Sequence, residues 1–337
     1  MNDPSGRWTG IAASQLEREV CETPTHCTIS RGFCYERSVT IEYAAVFPTN
    51  EIGNDPLAIR DWAQTAEGLG YSKIIAYDHV LGARHDREPK LWGPYLETDP
   101  FHEPFVLFGY LAGQTQRIGL QVGVLIAPQR QTALIAKQAV QVDILSGGRL
   151  TLGLGTGWNY VEYEALGESF AERGRRLNEQ VDVLRRLFQS PVIDYTGDYH
   201  RIDQAGILPL PVRGDIPIWF GGGSEASLRR AARVGDGFVF GSAGERVLGL
   251  LIRLRELLAE AGRDPDGFPV EAIIDNAVGP EEWRRERDAW AAAGGSALAV
   301  QTMDIIYRWR GIGRPNGFTS AAQHIDALRR FAEIMND

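Results

Sequence analysis

From Ile41 onward, short apolar runs rich in β-branched residues alternate with longer stretches in which apolar residues recur every three or four positions. The short runs fall at residues 41–47, 73–77, 118–126, 150–154, 216–220, 237–240, 269–274 and 297–300. Their apolarity is continuous rather than alternating, as expected of parallel strands covered on both faces. The longer stretches carry a helical period. Residues 56–69 place Leu57, Trp62, Ala66 and Leu69 on one face, with Pro56 in the first turn and Gly70 as a stop. Residues 133–145 and 170–188 repeat the pattern, the second through Leu177, Val181, Leu184 and Leu187. Eight strands with intervening helices predict an α/β fold, one closed (β/α)8 TIM barrel clothed by its helices. A doubly wound sheet would more often carry a dinucleotide fingerprint in its first βα turn, and Pro48-Thr49-Asn50-Glu51-Ile52-Gly53 has none.

Two connections are too long for plain barrel loops. Residues 81–104 are rich in Arg, Asp, Pro and Trp. Residues 189–215, an insertion before strand 5, hold Asp194-Tyr195-Thr196-Gly197-Asp198-Tyr199-His200 and a Pro-rich exit. Long loops in compact domains are usually functional, and both are expected to cover the open mouth of the barrel.

The chain has 337 residues, 44% of them hydrophobic, enough to bury one large core. The barrel domain is expected over residues 39–337, where Val39 fits an alternative start codon. Residues 1–38 read as a poorly ordered extension that carries all three cysteines, Cys21, Cys27 and Cys34. With His26 they lack the Cys-x-x-Cys or His-x-x-His spacing of a metal site, so no metal is expected. A net charge of -9 works against nucleic-acid binding. No apolar run approaches the roughly 20 residues of a membrane helix, and the N-terminus lacks the order of a secretion signal. A cytoplasmic protein with no membrane partner is expected.

Candidate chemistry gathers where strands end, the face at which barrel enzymes hold reacting groups. Asp78 and His79 leave the second strand, and an acid beside an imidazole suits proton transfer. The same pair also suits a loop cap and a filled polar gap. Gly153-Leu154-Gly155-Thr156-Gly157 permits a planar ring to lie against bare backbone, with Trp158 placed to stack on it or simply to pack. Gly221-Gly222-Gly223-Ser224 opens the helical run 225–234, an anion site suited to phosphate that is compatible with Ser224 as an N-cap. Arg130 reads as a solvated loop residue, with contact to an anionic cofactor or substrate as the alternative, and Arg84, His85, Arg87 and Lys90 as a solvated cationic cluster, with acidic ligands as the alternative. There is no Gly-x-Ser-x-Gly elbow, Walker loop or His-Glu-x-x-His, so hydrolase, kinase and metalloprotease readings lack support.

Four ordered motifs carry a resemblance: Tyr77-Asp78-His79-Val80; Leu145-Ser146-Gly147-Gly148-Arg149-Leu150; Gly155-Thr156-Gly157-Trp158-Asn159 with Glu162 and Tyr163; and Pro217-Ile218-Trp219-Phe220-Gly221-Gly222 with Gly235-Asp236-Gly237. Through them the chain resembles the bacterial luciferase-like monooxygenase superfamily, especially its coenzyme F420-dependent oxidoreductases. The resemblance implies a deazaflavin, or alternatively FMN, across the C-terminal mouth. It implies a bulge and a cis peptide at Gly123-Val124 or one residue later, with Gly123, Val124 and Leu125 backing the ring. Gly155, Thr156, Gly157 and Trp158 would complete the cofactor site. Gly221, Gly222 and Gly223, with Gly241 and Ser242, would receive the phosphate. His79 would assist proton transfer and Asp78 would orient it. The superfamily's sugar-phosphate dehydrogenases carry a glutamate where Trp158 stands, so their substrate does not transfer. The implied activity is hydride exchange between F420 and a small organic substrate. The alternatives are an FMN-dependent monooxygenase fed by a separate flavin reductase and a flavin-binding protein without catalysis. A homodimer is common among such proteins.

Overall fold

The computed structural model describes residues 41–311 and 314–336. The 1–38 extension, its three cysteines and the start at Val39 lie outside the described residues. The eight apolar runs form the strands β1 (Glu42–Val46), β2 (Lys73–Ala76), β3 (Gly119–Ile126) and β4 (Leu150–Gly155), then β7 (Ile218–Gly221), β8 (Gly237–Phe240), β9 (Val270–Asp275) and β10 (Ala297–Gln301). All pair in parallel and close in the order β1-β2-β3-β4-β7-β8-β9-β10, with β10 returning to β1 through Ala45 opposite Val300. The fold is a (β/α)8 barrel.

Two hydrophobic layers follow from the two-residue period of a strand. Residues such as Ile74, Leu120, Leu152 and Ile218 point outward into the large core under the helices. Their neighbours Ile75 and Ile273 point into the barrel, where they pack with Ala44, Val46 and Ala299. Lower in the barrel lie Lys73, Gln121 and Glu271, joined by Gln121 Nε2 donating to Glu271 Oε2 at 2.9 Å and by Lys73 Nζ at 3.4 Å from the same oxygen. Pairing of this kind lets a fully buried carboxylate persist.

The helices begin and end where local chemistry directs. α1 (Pro56–Gly68) is capped by the Asp55 carboxylate accepting from Leu57 N at 2.9 Å. It buries Ile59, Trp62, Ala63 and Ala66, whereas Leu57 faces solvent, off the expected face. α2 (Pro104–Gln114) and α3 (Thr132–Ser146) follow, and Gly147 ends α3 in the left-handed conformation (φ 68°). α4 (Tyr160–Ala165) is a short addition before α5 (Arg173–Gln189). Beyond the insertion come α6 (Glu225–Val234), α7 (Glu245–Glu260), α8 (Pro280–Ala292), α9 (Ile305–Arg310) and α10 (Ala321–Met335). No helix among the described residues is long and apolar enough to cross a membrane.

The insertion departs from expectation. Residues 189–215 contain an antiparallel hairpin, β5 (Ile193–Thr196) and β6 (Arg201–Ala205), that lies on the outside of α3 and α5 rather than over the mouth. Its tip is held by His200, with Nδ1 2.7 Å from Glu179 Oε1 and Nε2 2.6 Å from Thr132 Oγ1. Glu179 also accepts from Asp198 N and Tyr199 N. The polar run read as a mouth loop is therefore turn chemistry, and its acceptors lie on the neighbouring helices.

Candidate active site

A cavity of about 740 Å³ opens at the C-terminal ends of the strands. Gly123 and Gly221 put bare backbone on its lining, and Gly153 and Gly155 stand behind Val124. Around them β3 shifts register between Val122 and Leu125, and the Gly123–Val124 peptide is cis. The Val124 side chain turns inward there, and a Cβ on Gly155 or Gly221 would collide with it. The space at Gly155 thus accommodates the bulge rather than a ligand. Gly123, Val124 and Gly157 line the cavity, whereas Leu125, Gly155 and Thr156 do not. Leu125 is buried in the outer core, paired with Leu154. The Thr156 carbonyl accepts from Tyr163 Oη at 2.7 Å.

His79 and Asp78 both border the cavity, but they do not act on one another in the expected way. Asp78 is buried, its Oδ1 2.5 Å from Arg130 and its Oδ2 accepting from Ile126 N at 2.9 Å. It ties the end of β2 to the end of the β3 bulge. Arg130, read as solvated, is largely buried between Asp78 and Glu103. The group on His79 is Glu162 of α4, whose Oε2 lies 3.0 Å from Nδ1. Glu162 has no exposed side-chain surface, and its Oε1 accepts from Val80 N at 2.6 Å and Leu81 N at 3.1 Å. An ionised carboxylate only accepts, so Nδ1 carries the hydrogen and Nε2 is the ring nitrogen left to exchange a proton.

Aromatic rings enclose the imidazole. Tyr95, Phe101 and Trp158 have centroids 5.0, 5.0 and 5.5 Å from it. Tyr95 and Phe101 come from the 81–104 loop, which does reach the mouth, and Trp158 packs so closely on Gly93 of that loop that any Cβ there would strike its ring.

Gly221, Gly222 and Gly223, Gly241 and Ser242 line the opposite side, after β7 and β8. Ser224 caps α6 by accepting from Ser227 N at 3.3 Å, so the loop offers the cavity bare glycine backbone. Arg246, in the first turn of α7, is exposed and has no ion pair among the described residues.

A third side is acidic and was not singled out from sequence. Asp275 ends β9, accepting from Ala277 N at 2.8 Å and Gln301 Nε2 at 3.3 Å, and burial pushes its carboxyl up to about 6. Glu286 on α8 is pushed up to about 7 by burial, with Glu282 and Asp275 adding to the effect. Tyr77 Oη donates to Gln301 Oε1 at 2.8 Å. Asp275 and Gln301 follow apolar strand runs as Asp78 follows its own, so applying the same strand-end rule to β9 and β10 finds them.

The luciferase-like monooxygenase family profile matches residues 39–332. The chain belongs to this family. It thereby joins a family of oxidoreductases. An uncharacterized protein of Mycobacterium tuberculosis is 34% identical over 226 residues, 63% of this chain and 78% of its own length. The F420-dependent glucose-6-phosphate dehydrogenase of the same species is 30% identical over 261 residues, 74% of each chain. Among solved structures, a monooxygenase from Streptomyces bottropensis superimposes with a TM-score of 0.71 at 18% identity, covering 88% of this chain and 99% of its own. An F420-dependent secondary alcohol dehydrogenase does so at 0.67 and 18%, covering 87% and 98%. These two likenesses describe the barrel alone.

Proposed function

We propose that the chain is an oxidoreductase that uses coenzyme F420 to exchange a hydride with a small organic substrate. The observation that carries this reading is that His79, the Gly123–Val124 bulge and the glycine loops after β7 and β8 all face one cavity. Its volume lies within the roughly 300–1,000 Å³ range of small-molecule sites. The relative aligned at 30% identity that is named for its cofactor uses F420, which favours the deazaflavin over FMN.

In this reading Gly123 and Val124 back the ring, and Gly157 and Trp158 border it. Gly221, Gly222, Gly223, Gly241 and Ser242 hold the phosphate through main-chain groups. A bound deazaflavin supplies a ring carbon that gives or takes the hydride. His79 moves the accompanying proton at Nε2, and Glu162 holds the ring in the tautomer that allows it. Asp78 acts one step away by fixing the bulge. Tyr95, Phe101 and Trp158 exclude water from the imidazole.

Titration of the purified protein with F420 and with FMN tests the cofactor. Saturable F420 binding at least about tenfold tighter than FMN is expected, and tight FMN binding without F420 affinity reverses the assignment. His79→Ala is expected to keep F420 affinity while lowering turnover by about 10²–10⁴. Full turnover in that variant removes His79 from the mechanism.

A further inference from the structure

The cavity has an uneven charge distribution. Its glycine side carries Arg246, the one Lys or Arg that borders it among the described residues, with Glu245 next to it, so that side is balanced. Among the described residues, the side formed by β9, β10 and α8 carries Asp275 and Glu286 and no Lys or Arg. The nearest positive neighbour on α8, Arg285, is exposed and paired with Glu282. Asp275 is hydrogen-bonded to Ala277 and Gln301, both neutral donors. Glu286 borders the cavity, is half-buried, and has neither a hydrogen bond nor an ion pair among the described residues.

Two carboxyl groups on one partly dry wall repel, and neutral donors offset little of that repulsion. Proteins place such groups against a counter-charge or leave them to a ligand that brings one. Ile273, Val278, Ile305 and Trp309 supply apolar lining beside them, with Gln301 and Tyr77 as the polar neighbours. A phosphorylated or carboxylated substrate would meet like charge here, and an alcohol would satisfy one carboxylate without compensating the second.

We infer that the substrate of this site carries a protonated amine, held by Glu286 and Asp275, on an apolar body that lies against Ile273, Ile305 and Trp309. The inference rests on the proposed function for its location, because it takes the glycine side for the cofactor and leaves the acidic side to the substrate. The amine is a handle for binding, and the carbon that reacts lies elsewhere on the molecule, toward His79. Glu286 and Asp275 are then specificity residues.

Calorimetry with phenethylamine and phenethyl alcohol, which share an apolar body and differ in charge, tests this without turnover. At about pH 8 the amine is a cation and both acids are ionised. The amine is expected to bind at least about tenfold more tightly than the alcohol, and E286Q and D275N are each expected to remove most of that preference. Equal affinity of the two probes for the parent protein overturns the inference, as does a preference that survives both substitutions in folded variants. Failure of F420 to bind overturns the cofactor assignment alone. F420 binding together with equal affinity of the parent protein for the two probes overturns the amine alone.

Discussion

At the scale of single residues, the chemistry of the site depends on which partner each polar group finds. His79 was legible in the sequence because it follows an apolar run, but its partner is 83 residues away. Adjacency made Asp78 look like the orienting acid, and the fold gives Asp78 to Arg130 and to the Ile126 amide instead. Glu162→Gln tests the difference. The glutamine fills the same volume, yet its NH2 end facing Nδ1 favours the tautomer with hydrogen on Nε2. Turnover is expected to fall by about 10²–10³ with F420 affinity and melting temperature nearly unchanged, and nitrogen NMR of the ring should show the tautomer exchanged. An unaltered rate would leave Glu162 as a loop anchor only.

Elements are positioned by motifs that do no chemistry. Ser146-Gly147-Gly148-Arg149 is one such motif. The Arg149 guanidinium donates to Ala112 O, Thr115 O, Ile118 O and Ser146 O, gathering the ends of α2 and α3 at the start of β3. Arg149→Met keeps the stem and leaves these carbonyls without their donor, which is expected to cost about 2–3 kcal/mol in chemical denaturation, with cofactor affinity retained. Gly235-Asp236-Gly237 works the same way, since Asp236 accepts from Ile218 N and pairs with Arg185 of α5. The strands were readable because their apolar runs are continuous, and the β5–β6 hairpin was not. Its short polar sequence has no core of its own, and Glu179 and Thr132 on the neighbouring helices, with Ile193 buried in the main core, give it a place.

For the whole molecule, the acidic wall of the cavity links function to stability. Asp275 and Glu286 titrate in the folded protein at about 6 and about 7, above their ordinary values of 3.8 and 4.5. A raised folded-state value means that stability is fully present below the ordinary value and is lost as pH rises through the folded one. His324 acts in the opposite sense: burial lowers it to about 4, so its contribution is lost as pH falls toward that value. Comparing variants with the parent at each pH separates the two effects. Asp275→Asn and Glu286→Gln are each expected to raise the melting temperature above about pH 7, by about 2–4 °C for each kcal/mol regained, and to leave it unchanged near pH 4. Equal shifts at both pH values would point to packing instead of charge. The sequence by itself determined the barrel, its strand ends and the glycine loops, because these depend on hydrophobic period and local backbone freedom. Tertiary structure alone decided that Glu162 holds His79, that Val124 takes the space at Gly155, that the insertion lies on the helices and that Asp275 and Glu286, without an ion pair among the described residues, share the cavity. Those outcomes depend on which residues, far apart in the chain, closure of the barrel brings within a few ångströms.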